Sequence, residues 1–171
     1  GATAFYNRLG NAIANITTGT NLRKRQNVKA IIAKGVELTA NARHGDMMLS
    51  ASYAYSHSVV DAPGQGFDGL TPSQSPRHSA SGTVMWAPQR GPALSATVRY
   101  VSRQFEDDLQ TDALPGAVTL DATASLPLGH GIALMVRGEN ITDKTVITRN
   151  SGGSLDIGKP RTLWVGVKIA R

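Results

Sequence analysis

With 171 residues, 40% of them hydrophobic and 18% charged, the chain has the size of one domain or a piece of a larger one, and its composition is not that of a disordered charged tail. The lack of cysteine excludes disulfide frameworks and thiolate metal sites, and no window approaches the roughly 18 consecutive apolar residues of a membrane helix. The net charge of +6 invites a nucleic-acid reading, but the basic residues are scattered. Their one dense run, Arg23-Lys24-Arg25, lies in a polar stretch and reads as a solvated loop, so no nucleic-acid partner is expected. The chain starts at Gly1 without Met or a leader, as a fragment or a processed product would.

Segment 3–16 is ambiguous, because Phe5, Leu9, Ala12, Ile13 and Ile16 would also line one side of a helix. From there on the chain alternates with period two, the signature of strands with two unlike faces. In 28–43, Val28, Ala30, Ile32, Val36, Leu38 and Ala40 share a face that Lys34 interrupts. In 49–59, Leu49, Ala51, Tyr53, Tyr55 and Val59 share a face that His57 interrupts, and Ser50, Ser52, Ser56 and Ser58 lie opposite. Ala80, Val84 and Trp86 oppose Ser79, Ser81 and Thr83; Leu94, Ala96, Val98 and Tyr100 oppose Thr97, Arg99 and Arg103. Val118, Leu120, Ala122, Ala124 and Leu126 oppose Thr119, Asp121 and Thr123; Ile132, Leu134 and Val136 oppose Arg137 and Glu139. Leu163, Val165, Val167 and Ile169 close the series opposite Thr162, Gly166 and Lys168.

The connections alternate in length. Short turns at His44-Gly45, Gln89-Arg90-Gly91 and Gly129-His130-Gly131 carry the glycine that hairpins need. Long polar loops fall at 17–27, 61–77, 106–116 and 145–160. In an antiparallel meander this puts every short turn at one rim and every long loop at the other. A transmembrane β-barrel has that asymmetry, with apolar residues outward and polar residues in the lumen, whereas a soluble barrel buries its apolar residues inside. The expected fold is therefore all-β: an antiparallel up-and-down transmembrane barrel segment of about eight strands, with short periplasmic turns and long extracellular loops.

The order of several short motifs resembles the C-terminal barrel region of the TonB-dependent outer-membrane receptors. Ala4-Phe5-Tyr6-Asn7-Arg8 is similar to the family's strand carrying an aromatic-Asn pair, and Lys34-Gly35-Val36-Glu37-Leu38 to its KGxEL segment. Leu49 to Tyr55 and Ser75 to Ser81 resemble the following strand and the PRHSAS motif beyond a long loop. Arg99-Tyr100-Val101, Leu114-Pro115-Gly116, Glu139 to Lys144 and Gly158 to Thr162 are similar to the later motifs, ending in the G-x-PRT lead-in to the last strand. The resemblance covers nearly the whole chain and tips segment 3–16 towards strand. Two departures stand out: the apolar parity of the last strand lands on Arg171 where the family carries an aromatic residue, and the aromatic girdle is thin.

The resemblance implies an outer-membrane receptor that imports a ferric siderophore or a similar scarce ligand with TonB-coupled energy. Residues 1–171 would be the C-terminal part of its barrel, with the plug domain and the TonB-contacting segment outside this chain. Its partners would be the ligand, its own plug, TonB, and the lipid and lipopolysaccharide around it. Loops 61–77 and 145–160 are the candidate ligand-facing loops, with Arg77 and Arg149 placed to meet an anionic chelate. The alternative is a self-contained barrel of about eight strands with a structural or adhesive role; a soluble lipid-binding barrel is disfavoured by the charge on the polar face.

Other chemistry is thin. Gly64 to Gly69 spells GxGxxG, but Leu70-Thr71-Pro72-Ser73 cannot open the helix that a dinucleotide site requires. His44, His57, His78 and His130 have no ligand spacing, and neither a cofactor nor a metal site is expected. Glu106, Asp107, Asp108 and Asp112 read as a solvated loop or a divalent-cation contact to lipopolysaccharide phosphates rather than a specific calcium site. No nucleophile elbow or Ser/His/Asp arrangement is visible, so no enzyme is expected. Arg99, Arg103, Asp121, Arg137 and Glu139 share the polar parity of neighbouring strands and read as a charge network in the lumen. Counted from the turn at 129–131, Asp121 falls opposite either Arg137 or Glu139; in both registers it is expected to pair with Arg137, directly or diagonally, with Arg99 and Arg103 able to share the carboxylate.

Overall fold

The computed structural model describes residues 1–19 and 22–169; Arg171, where the terminal parity runs out, lies outside them. Eight strands form one antiparallel sheet in the order β1 (Ala2–Gly10), β4 (Ala30–His44), β5 (Met47–Asp61), β6 (His78–Trp86), β7 (Ala93–Val101), β10 (Ala117–Gly129), β11 (Ile132–Glu139) and β14 (Thr162–Ile169). Neighbours in space are neighbours in sequence once the small hairpins are set aside, which is the up-and-down meander expected from the turn chemistry. The tight turns at 45–46, 87–92 and 130–131 join β4 to β5, β6 to β7 and β10 to β11 at one rim, and positive φ at Gly45, Gly91, His130 and Gly131 closes them.

The long connections at the other rim are more ordered than their polar composition suggests. The region read as a loop at 17–27 is the hairpin β2 (Ile13–Gly19) and β3 (Leu22–Asn27), and 3–16 is not one strand. The sheet strand stops at Gly10, Asn11 takes φ 51°, and β2 starts a separate ladder. The loop read at 106–116 begins just after β8 (Gln104–Phe105), which pairs with β9 (Ala113–Leu114) inside it, and the loop read at 145–160 holds the pair β12 (Ile147–Ser151) with β13 (Ser154–Ile157).

Register sorts the side chains by row as well as by face. One face carries the rows Ala2–Leu38–Tyr53–Ala80–Tyr100–Val118 and Trp86–Leu94–Ala124–Val136–Val165. The opposite face carries Thr39–Ser52–Ser81–Arg99–Thr119 and Asn41–Ser50–Thr83–Thr97–Asp121. Leu120 and Asp121 thus lie on opposite faces. Hydroxyl pairs knit the polar rows, with Ser52 Oγ 2.9 Å from Ser81 Oγ and Thr83 Oγ1 2.9 Å from Thr97 Oγ1. Gly35 is required on the polar face, because a Cβ there would meet the Tyr55 carbonyl and come within 2.7 Å of the Phe5 ring. The aromatic residue covers a strand glycine that has no side chain of its own to pack.

Neither face of the sheet is packed. Leu163, Val165, Val167 and Ile169 of β14 are each 64–74% exposed. The buried apolar cluster sits among the long loops instead: Ala12, Ile16 and Val28 around the β2–β3 hairpin meet Val60, Ala62 and Phe67 at the top of β5 and its loop. An apolar sheet face this long with no core against it must be covered by something other than this chain.

Candidate functional site

The loop rim is where separate parts of the chain converge on one another. Its hub is the acidic run of the β7–β10 connection, which is buried rather than solvated: Glu106, Asp107 and Asp108 are only 3–7% exposed. Asp108 reaches across to the β2–β3 hairpin, accepting the Thr17 amide at 3.1 Å and the Thr17 hydroxyl at 2.5 Å. Glu106 accepts Gln74 Nε2 of the β5–β6 loop at 2.9 Å and lies 3.8 Å from Arg23 Nη1. The Gln74 amide in turn donates to the Phe105 carbonyl at 2.7 Å. Asn150 of β12 donates to the Ala113 carbonyl at 3.3 Å, and the Gly152 amide to Asp112 at 3.3 Å. The other three long connections are therefore all tied to the β7–β10 loop.

Asp107 holds the hub's own shape. It accepts the Thr111 amide at 3.1 Å, the Thr111 hydroxyl at 2.8 Å and the Asp112 amide at 2.7 Å. Burial by itself pushes this carboxyl up, but the amides of Asp112 and Thr111 and the Thr111 hydroxyl outweigh it and hold it below the ordinary carboxylate range. The carboxylates are thus engaged by loop donors, and among the described residues no three His, Asp or Glu converge to hold a metal ion.

Between these loops lies a cleft of about 380 Å³, lined by Thr17 and Arg23 of the first connection, Asp107 and Thr111 of the hub, and Arg149 and Ser151 of β12. Arg149 therefore lines the loop-rim cleft, with Asp156 3.5 Å from its guanidinium. Arg77 is elsewhere. Its carbonyl accepts the Ser56 amide at 2.9 Å, which continues the β5–β6 register and sets Arg77 on the polar face of the sheet, exposed and outside the cleft. Arg23, read in the sequence as part of a solvated run, is the second guanidinium of the cleft.

A second concavity of about 670 Å³ opens on the polar face, bounded by Arg99, Asp121, Arg137, Glu139, Lys159 and Trp164. The expected Asp121–Arg137 pair is not made. Asp121 Oδ2 is paired with Arg99 and Asp121 Oδ1 accepts the Asn140 amide at 2.8 Å, while Arg137 Nη2 lies 2.5 Å from Glu139 Oε1. The register explains the exchange. It sets Thr123 opposite Arg137 and Ala122 opposite Gly138, which carries Asp121 towards Glu139 rather than Arg137. Two facing carboxylates each need a cation; Glu139 takes Arg137 and Lys159, the latter at 2.7 Å, and leaves Arg99, diagonal to Asp121 across β7, for Asp121. Arg103 does not join them, its guanidinium standing 4.9 Å from the centre of the Phe105 ring.

Composition and parity do not single out Asn140. It is 5% exposed, adopts φ 47°, and uses its whole amide: Nδ2 donates to the Lys144 carbonyl at 2.9 Å and the Lys159 carbonyl at 3.0 Å, and Oδ1 accepts the Lys144 amide at 3.0 Å. Asp143 accepts the Arg161 amide at 3.0 Å. The Glu139-to-Lys144 and Gly158-to-Thr162 motifs, with 13 residues between them, are thus the two sides of one clasp at the base of the last long loop.

Comparison with known proteins agrees with this geometry. A family model described as TonB dependent receptor-like, beta-barrel matches residues 1–141. The ferrioxamine receptor of Yersinia enterocolitica is 28% identical over 122 residues, which cover 67% of this chain and 17% of that protein. The siderophore receptor PiuA of Acinetobacter baumannii shares the fold with a TM-score of 0.82 at 19% identity, over 98% of this chain and 25% of that one. The ferric yersiniabactin uptake receptor FyuA of Yersinia pestis gives a TM-score of 0.83 at 19% identity, over 98% and 27%. The chain thus spans about a quarter of the solved receptors it matches. With the family model covering most of its length and its sheet, rims and faces those of a receptor barrel wall, the chain belongs to the TonB-dependent receptor β-barrel family.

Proposed function

We propose that residues 1–171 form the C-terminal part of the barrel of an outer-membrane receptor that imports a scarce ligand, a ferric siderophore, with energy delivered through TonB. The plug domain and the TonB contact belong to the remainder of that receptor. The observation that carries the reading is the division between the rims: short turns at one, and at the other four long connections cross-tied through Glu106, Asp108, Asp112 and Ala113 around a cleft that contains Arg23 and Arg149. A ligand captured there sits above the polar face of the sheet, where Arg77, Arg99 and Arg137 continue the supply of donors down the wall. The names of the relatives, a ferrioxamine receptor, a siderophore receptor and a ferric yersiniabactin uptake receptor, point to the same ligand class.

The self-contained small barrel is not supported by the strand order. Among the described residues β1 and β14 stand at opposite edges of the sheet and do not pair. The test is growth on ferric siderophores as sole iron source. Cells carrying the full receptor are expected to grow on at least one such chelate, cells expressing residues 1–171 alone to fail, and Arg149→Ala in the full receptor to weaken uptake. Full uptake by the isolated chain, or a receptor indifferent to every iron chelate, would overturn the reading.

A further inference from the structure

The charge of the loop-rim cleft is not the one its arginines suggest singly. Arg23 and Arg149 line it, but so do Asp107 and Asp112. Each guanidinium also has a further carboxylate beside it: Glu106 lies 3.8 Å from Arg23 and Asp156 lies 3.5 Å from Arg149. Asp108 stands behind Thr17, accepting its amide at 3.1 Å. Among the described residues around this space of about 380 Å³, two guanidiniums therefore meet five carboxylates. Lys24 and Arg25, which follow Arg23 in the chain, are exposed and do not line the cleft.

Burial sharpens this balance. Glu106, Asp107 and Asp108 are nearly shut off from water, where charges are felt more strongly than in bulk solvent. Burial pushes the Asp107 carboxyl up, but the Asp112 and Thr111 amides outweigh it and keep the group ionised. The guanidiniums still have donors to give, because each carries five N–H groups and one carboxylate occupies at most a fork of two. The cleft thus offers hydrogen-bond donors without surplus positive charge. It offers no ring either. Among the described residues no aromatic side chain lines it, Phe67 is buried in the loop core, and the Arg103 guanidinium covers Phe105 at 4.9 Å.

We propose that this cleft is a charge filter: it accepts a ferric chelate of zero or positive net charge, whose carbonyl oxygens take hydrogen bonds from Arg23 and Arg149, while Asp107 and Asp112 turn polyanionic chelates away. Juxtaposed like charges are a general means of rejecting a wrong partner. A ferric trihydroxamate is neutral, each hydroxamate cancelling one charge of the metal, and it presents carbonyl oxygens. A ferric tris-catecholate is a trianion with aryl rings on its surface, and it finds here neither an uncompensated cation nor a ring to stack on. The assignment rests on the siderophore-receptor reading, since it takes the cleft to be part of the ligand site.

The test uses the full receptor that carries this chain, in detergent, titrated by calorimetry with a neutral ferric trihydroxamate and with a trianionic ferric tris-catecholate. The trihydroxamate is expected to bind at least about tenfold more tightly, the scale of a few like charges at a partly buried site. Asp112→Asn keeps an acceptor for the Gly152 amide, 3.3 Å away, and removes only the charge; it is expected to narrow the ratio of the two affinities about fivefold. Asp156→Asn, at an exposed partner of Arg149, is the second variant and is expected to move the ratio the same way. Raising the salt from about 0.05 to about 0.5 M should narrow it too, by screening. Asp46→Asn, at the short-turn rim, is expected to leave the ratio as it is. Exclusion by size alone would respond neither to these charge changes nor to salt. A ratio indifferent to D112N, D156N and salt, or a tris-catecholate held as tightly as the trihydroxamate, would therefore overturn the filter. A receptor that binds neither chelate would overturn the siderophore reading, and the filter with it.

Discussion

Asn140 shows how one residue can govern a loop of 22. Its amide is saturated by three bonds to Lys144 and Lys159, and its own N–H secures Asp121. Asn140→Ala leaves the Lys144 amide and two carbonyls without partners in a half-buried setting and forces a left-handed φ on alanine, so it is expected to destabilise the refolded receptor on the order of 2 kcal/mol. Urea unfolding in detergent measures it; a loss below a few tenths would show that water replaces the clasp. Nearby, a double-mutant cycle separates the observed ion pair from the expected one. Arg99 with Asp121 should couple by about 0.2–1 kcal/mol and Arg137 with Asp121 by less, because Arg99 is paired with Asp121 while Arg137 is held by Glu139. A larger coupling for Arg137 would show that the network exchanges partners in solution.

Among the elements, the β2–β3 hairpin has the clearest dependence on a distant partner. Its ladder is short, and two-stranded hairpins are marginal alone; Asp108 and Glu106 fasten it to the β7–β10 loop through Thr17 and Arg23. Asp108→Ala is expected to free the hairpin, giving faster amide exchange over 13–27 and cleavage by trypsin after Arg23, Lys24 or Arg25, with the sheet strands unchanged. Protection equal to wild type would show that the Ile16 and Val28 packing suffices. The hub should also respond to acid. The Asp107 carboxyl lies below the unfolded value of about 3.9, so its contribution is complete above roughly pH 4 and is lost as pH falls through the lower folded value. Exchange at Thr111 and Asp112 should rise across that acid range, and Asp107→Asn should abolish the dependence.

For the whole molecule, the governing fact is a sheet with two open edges and two unpacked faces. Among the described residues β1 and β14 each present a row of unpaired backbone groups, a template for joining another chain. Residues 1–171 refolded alone in detergent are therefore expected to elute as oligomers or aggregates in size-exclusion chromatography with light scattering, and the full receptor as a closed monomer. A monodisperse monomer of the isolated chain would mean that β1 and β14 can meet and that eight strands suffice for closure.

The alternation of Leu49 to Val59 and of Val118 to Leu126, together with short turns alternating with long loops, determined the strands, their faces and the two rims, because period two and positive-φ turn residues are local properties of the chain. The ordered motifs from Lys34 to Thr162 carried the family for the same reason: each is a short run read in place. What the tertiary structure decided lies across the chain rather than along it. Whether Asp121 faced Arg137 or Glu139 depended on a register shift of two residues, which the turn at 129–131 leaves open. The acidic run at 106–112 looked solvated because its donors, Thr17, Arg23 and Gln74, come from loops 30 to 90 residues away. Lys34 and His57 each looked like a flaw in its own strand; only the pairing of β4 with β5 set them side by side.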